Sequence, residues 1–212
     1  MILKFISWLG ACCLLLTSVP AAAQTAAPQA QSPQALVQGV TDEVLSILRE
    51  DKAIRSGDRK RAMDLIETRI APHFDFERMT GLAVGRAWQQ ADAAQREALV
   101  REFRILLVRT YANALTGYKD QEVKVKPGRS GAGGDEATVQ SEINQPGAAP
   151  VPIDYRLARQ EREWKVYDVV INNVSLVTTY RGSFATEVSS GGIEGLLKAL
   201  QSKNRDPGAT PS

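Results

Sequence analysis

Residues 164–184 read WKVYDVVINNVSLVTTYRGSF, and the fold turns on how this stretch divides. Its first half is a strand. Trp164, Val166, Tyr167, Val169, Val170 and Ile171 are aromatic or β-branched, the side chains that suit a pleated surface. Asn172-Asn173 interrupts the run, because asparagine tolerates turns and left-handed backbone. Val174, Leu176, Val177, Tyr180 and Phe184 then follow at mostly helical spacing. An apolar strand that runs straight into an apolar-faced helix needs cover on more than one side. The stretch belongs at the centre of a fold or beside an apolar cavity.

Moving outward toward the N-terminus, the pattern keeps a period of two. Val151, Ile153, Tyr155 and Leu157 alternate with Asp154 and Arg156, and Ala137, Val139, Ser141 and Ile143 with Thr138, Gln140 and Glu142. Val123 and Val125 alternate with Glu122, Lys124 and Lys126. Turns at residues 127–134, 145–150 and 160–163 separate these runs. Four strands joined by short turns imply an antiparallel meander.

Further upstream the period is helical. Ser32-Pro33 reads as an N-cap followed by an N1 proline, and Leu36, Val37, Val40, Val44, Ile47 and Leu48 carry a helix to about Asp51. Met63, Leu65, Ile66 and Ile70 mark a second helix, stopped before Pro72. Asp75 is a candidate N-cap for a short helix to about Leu82. Asp92 with Gln95 forms a capping-box pattern ahead of a long helix, with Leu99, Phe103, Leu106, Leu107, Tyr111, Leu115 and Tyr118 on one stripe. A last helix covers residues 193–200, after Gly191-Gly192. Helices followed by a meander predict an α+β fold, with helices wrapped around a four-stranded antiparallel curved sheet. Such a sheet leaves room for an apolar cavity between its concave face and the long helix.

The ends read differently. Lys4, the apolar run from Phe5 to Val19, and Ala21-Ala22-Ala23 predict a signal peptide over residues 1–23, cleaved before Gln24. A retained anchor is disfavoured because the run is short for a span, and lipoprotein processing at Cys12 because the apolar run continues beyond it. Residues 24–31 are a flexible lead, residues 32–203 a single domain and residues 204–212 a disordered tail.

Composition excludes several chemistries. Both cysteines, Cys12 and Cys13, fall within the leader, so the remaining chain has no disulfide, thiol catalysis or cysteine metal site. His73 is the only histidine, which rules out a histidine-rich metal site. The 26 Lys and Arg nearly balance the 24 Asp and Glu, and no nucleic-acid footprint emerges. The run GRSGAGG at 128–134 joins two strands and lacks Gly-Lys-Ser/Thr, so it is a hairpin loop and no phosphate cradle. His73 reads as a packed or solvent-edge imidazole. Asp154 is expected to face outward. Asp168 is expected on one face with Trp164, Val166 and Val170, paired with a structural partner such as Arg181.

Several motifs in fixed order resemble the MlaC/toluene-tolerance family of periplasmic phospholipid-transport proteins. They are the WKVYDV, VSLV and YRGSF succession at 164–184 and PHFDFERM at 72–79. To these add Gly85 to Trp88 with Gln95, then Phe103, Leu106-Leu107 and Thr110-Tyr111, and finally IDYRL at 153–157. The resemblance covers about Pro33 to Leu200. It departs at Asn173, where relatives commonly have glycine.

The resemblance implies a fold similar in outline to the cone-shaped nuclear-transport-factor-like class, with no enzyme activity and no cofactor. It implies a soluble periplasmic carrier that encloses the acyl chains of glycerophospholipid and shuttles lipid between outer and inner membranes, maintaining outer-membrane lipid asymmetry. The implied partners are an outer-membrane lipoprotein complex and an inner-membrane ABC transporter carrying an MCE-domain protein. The expected lipid-binding wall is Phe103, Leu107 and Tyr111 from the long helix, and Val139, Ile153, Tyr155, Val166 and Val169 from the strands. Val174, Leu176 and Val177 complete it. Val166 and Val169 share that wall only if a bulge lies between them. Residues alone leave two alternatives open: a periplasmic enzyme on the same fold with Asp168 or His73 as base, and an adaptor with a filled core.

Overall fold

The computed structural model describes residues 31–126, 129–130, 134–145 and 147–205. The expected leader over 1–23, most of the lead, the tip of the glycine-rich loop and the chain beyond Arg205 lie outside the described residues.

Helix α1 (Pro33–Glu50) opens as expected, with the Ser32 hydroxyl accepting the Ala35 N–H at 3.1 Å and Pro33 in the first turn. The short helices α2 (Lys52–Arg55) and α3 (Arg59–Leu65) follow, the latter running on through a π-helical turn, Ile66–Ile70, and a 3-10 turn, Ala71–His73. Asp75 caps α4 (Phe76–Val84) by accepting the Arg78 N–H at 2.8 Å. Asp92 and Gln95 form the capping box of α5 (Ala93–Thr116).

Strands β1 (Glu122–Val125), β2 (Arg129–Ser130), β3 (Glu136–Asn144), β4 (Val151–Gln160), β5 (Glu163–Ile171) and β6 (Val174–Ser175) follow. They form one antiparallel sheet in the order β1-β3-β4-β5-β6, with β2 also paired to β3. The four expected strands are therefore joined by two-residue additions at its margins. Two residues are too few to leave a periodic signal. β6 was expected to be helical, but α6 (Leu176–Arg205) starts only at Leu176. Gly192, at φ 64° and ψ −161°, breaks α6 where the double glycine stands. The helix also continues past Lys203. Asn204, expected in a disordered tail, is buried, and its amide donates to the Glu102 carbonyl at 2.9 Å.

Three apolar clusters hold these elements. The first joins α4, α5 and α6, with Phe103 edge-on to Tyr180 and Phe184 at centroid distances of 5.0 and 5.1 Å. The second joins α1, α2 and α3 to the C-terminal half of α5, through Leu48, Ile54, Ala62, Val108 and Ala112. The third lies between one face of the sheet and the start of α1, through Leu36, Val37, Val139, Leu157 and Val166. Among the described residues no helix is long and apolar enough to cross a membrane.

Candidate functional site

The centre of the molecule is built around β5. Its pairing with β4 runs regularly from Gln160↔Glu163 to Leu157↔Val166, then resumes as Arg156↔Asp168. Tyr167 is the extra residue of a β-bulge, which reverses the alternation of side chains beyond it. Trp164, Val166 and Val169 consequently belong to one apolar cluster. The bulge required for Val166 and Val169 to share a face is present.

The same bulge carries Asp168 to the opposite face from Trp164 and Val166, which corrects the face expected for it. Its partner is also different. The buried Asp168 carboxylate accepts the Arg156 guanidinium at 3.1 Å, the Ser175 hydroxyl at 2.8 Å and the Val177 N–H at 3.2 Å. Arg156 stands directly across the ladder, whereas the Arg181 guanidinium lies over Gly85. Ser175 in turn accepts the Thr178 N–H at 3.1 Å. Asp168 and Ser175 thus cap α6 and tie its positive end to the sheet. Asp154 accepts from Gln140, its cross-strand partner, at 3.2 Å, and is half-buried.

On the other face of β5 the packing opens into a cavity of about 300 Å³. One wall is the inner face of α1: Leu36, Val37, Val40, Thr41, Val44, Leu45 and Leu48. Ile70, His73 and Phe74 close one side. Ala114, Leu115, Tyr118 and Gln121 close another, and Val123, Ile143, Tyr155 and Val166 form the sheet wall. The lining is almost entirely hydrocarbon and aromatic, as expected of a site for an apolar ligand.

Of the expected wall, Tyr155 and Val166 reach the cavity. Val139, Ile153 and Val169 sit in the neighbouring cluster of the sheet. Phe103, Leu107, Leu176 and Val177 are closed inside the cluster of α4, α5 and α6, and Tyr111 packs against it. Val174 is 60% exposed at the hairpin and faces solvent. The physical reason lies in α5, which serves two clusters. Its first half packs on α6, and only its last turns, at Ala114 and Leu115, reach the cavity. The α1 wall was read from sequence as a helix stripe, but a stripe does not say whether it meets a packed neighbour or a gap.

Burial shapes the polar groups near these sites. The His73 pKa is pulled below its ordinary value, first by burial and then by the Lys165 ammonium. Burial raises the Tyr155 pKa, with the Ser141 hydroxyl beside it opposing the shift. Tyr111 is pushed up to about 12 by burial and by nearby Tyr180. Among the described residues no group of three or more His, Cys, Asp or Glu side chains could hold a metal ion.

A protein-family model described as "MlaC protein" matches residues 38–202. The chain is 26% identical over 192 residues to "Toluene tolerance protein ttg2D" of Pseudomonas putida, covering 85% of this chain and 89% of that protein. It is 24% identical over 179 residues to "Intermembrane phospholipid transport system binding protein MlaC" of Haemophilus influenzae, covering 83% of this chain and 84% of that one. A solved structure of a phospholipid-binding protein from Ralstonia solanacearum, in complex with a phospholipid, superposes with a TM-score of 0.76. That chain is 37% identical, and the match covers 83% of this chain and 98% of that one.

Proposed function

The chain belongs to the MlaC protein family, and from that premise we propose that it is a phospholipid carrier whose cavity between α1 and the sheet encloses acyl chains. The observation that carries this reading is the cavity itself: an apolar volume inside a fold whose solved relative is a phospholipid complex. The physical need is large. Each exposed methylene costs about 0.8 kcal/mol, so a long acyl chain costs on the order of 10 kcal/mol in water. An apolar wall removes that cost while the head group stays near solvent, which explains why a nearly charge-balanced chain suffices.

In this reading the leader over residues 1–23 directs the protein to the periplasm and is cleaved before Gln24. The carrier then moves glycerophospholipid between an outer-membrane lipoprotein complex and an inner-membrane ABC transporter with an MCE-domain protein, so maintaining outer-membrane asymmetry. No proton transfer or cofactor is required. The enzyme alternative is weakened by Asp168, whose carboxylate is engaged by three donors and lies off the cavity wall. The filled-core adaptor is weakened by the cavity.

The test is detergent-free purification followed by organic extraction and mass spectrometry. Phospholipid at a fixed ratio to protein is expected. Lipid-free protein that also fails to take up lipid from vesicles would overturn the carrier reading.

A further inference from the structure

His73 is the only histidine of the chain, and it stands on the wall of an apolar cavity. Its backbone is fixed from both sides. The Lys165 ammonium donates to the Pro72 carbonyl at 3.0 Å, and the Asp75 N–H donates to the Val166 carbonyl at 2.9 Å. Phe74 bridges to Val166 in the same register. The backbone that carries the ring is therefore held beside β5. Among the described residues no hydrogen bond to the imidazole forms, although the ring is half-buried. Gln121, the amide side chain of the wall, accepts the Lys119 N–H at 2.7 Å through its oxygen and keeps its NH2 as a second donor on that wall. Burial, then the Lys165 charge, shift the ring toward its neutral form, against the smaller opposing pull of Glu43 and Glu163. A neutral imidazole keeps one N–H donor. Lys165 and exposed Glu163, bonded to each other at 2.8 Å, mark the solvent side of this corner.

We propose that His73 is a positioning residue for the bound lipid, donating a hydrogen bond to an ester carbonyl oxygen of a glycerolipid whose chains fill the cavity. The proposal rests on the carrier reading above and adds the group that the protein recognises. In a glycerolipid the esters lie between the tails and the head, as His73 lies between the apolar wall and the charged rim. An ester carbonyl has no donor of its own. Removing it from water without one is unfavourable, and an unengaged N–H on the cavity wall relieves that. The contact favours ester-linked over ether-linked chains, because an ether lacks the carbonyl oxygen.

The test uses vesicles containing equal amounts of diester and dialkyl-ether phosphatidylethanolamine with matched chains. The protein is incubated with them, separated by gel filtration, and its lipid is read by mass spectrometry. The wild-type protein is expected to enrich the diester about five-fold, the worth of one neutral hydrogen bond. His73→Leu is expected to bring the ratio near parity, and His73→Gln, which restores an N–H donor, to recover much of the enrichment. Parity in the wild-type protein overturns the proposal, whether or not the leucine variant folds, and points instead to a contact shared by both lipids, such as the phosphate. Undiminished enrichment in folded His73→Leu also overturns it. A wild-type protein that takes up neither lipid overturns the carrier reading itself, a result distinct from parity.

Discussion

Val166 and Val169 stand three positions apart on one strand and yet face the same apolar cluster, because the β4–β5 register slips at Tyr167. Without that extra residue one of the two would point to the α6 side. The bulge gives β5 two working faces within one turn of sequence: Val166 on the cavity, and Asp168 on the helix cap.

The difference between cavity wall and packed core separates two charge substitutions. Val169 is buried within the sheet cluster and does not line the cavity. Val169→Asp strands an unpaired charge there and is expected to cost about 3–5 kcal/mol, with loss of a cooperative melt by circular dichroism. Val40 is half-buried and lines the cavity. Val40→Asp is expected to fold but to retain little lipid after gel filtration. If both variants fold and hold lipid normally, the wall is misplaced.

Phe103 is fully buried between Tyr180 and Phe184, away from the cavity. Phe103→Ala is expected to cost about 3–5 kcal/mol of stability through loss of burial and the void left behind. The fraction that remains folded should carry wild-type amounts of lipid. Lipid loss at unchanged stability, followed by denaturant titration and mass spectrometry, would return Phe103 to the binding site.

Sequence periodicity located the long elements because each has a face to bury. The Ser32, Asp75 and Asp92 caps were legible for a local reason: a short polar side chain meets free N–H groups within three residues. The cavity wall was less legible. Leu107 and Leu115 lie on the same expected stripe of α5, yet one meets α6 and the other meets open space. Only the relative placement of helices decides that, and no local pattern encodes it. The Asp168–Arg156 pair was missed for a similar reason, because a bulge moves a side chain across the sheet without changing composition.

The β5–β6 hairpin turns through Asn172 and Asn173, with φ of 50° and 64°. Ile171 pairs with Val174 across this two-residue loop, the arrangement in which both central residues adopt left-handed backbone. Asparagine tolerates it and glycine tolerates it better. Asn173→Gly is expected to leave stability unchanged or raise it by up to about 1 kcal/mol, and Asn173→Val to lower it by about 1–2 kcal/mol. Thermal melts of the two variants check the ordering, and a stabilised valine variant would contradict it.

Asp168 joins Arg156, Ser175 and the first turn of α6 through one carboxylate. Asp168→Asn keeps the shape but removes the charge that strengthens all three bonds and favours the helix N-terminus. A loss of about 1–3 kcal/mol is expected, with lipid transfer between vesicles intact in the folded variant. Lost transfer at wild-type stability would assign the carboxylate a part in function.

His73 gives stability a pH dependence of known sign. Burial, then Lys165, hold its folded pKa below the ordinary 6.5, so below about that pH the unfolded chain takes up a proton more readily than the folded one. Stability from this group is present in full above 6.5 and falls as pH drops below it. Asp51, Glu142 and Glu163 are also held below their ordinary values of 3.8, 4.5 and 4.5, but their contributions are lost only at more acid pH. Between about pH 7 and pH 5 the wild-type denaturation midpoint should therefore decline through His73. His73→Gln removes the titration and should flatten that decline while lipid stays bound through the amide N–H. An equally steep decline in the glutamine variant would assign the pH dependence to another group and leave the imidazole untitrated in this range.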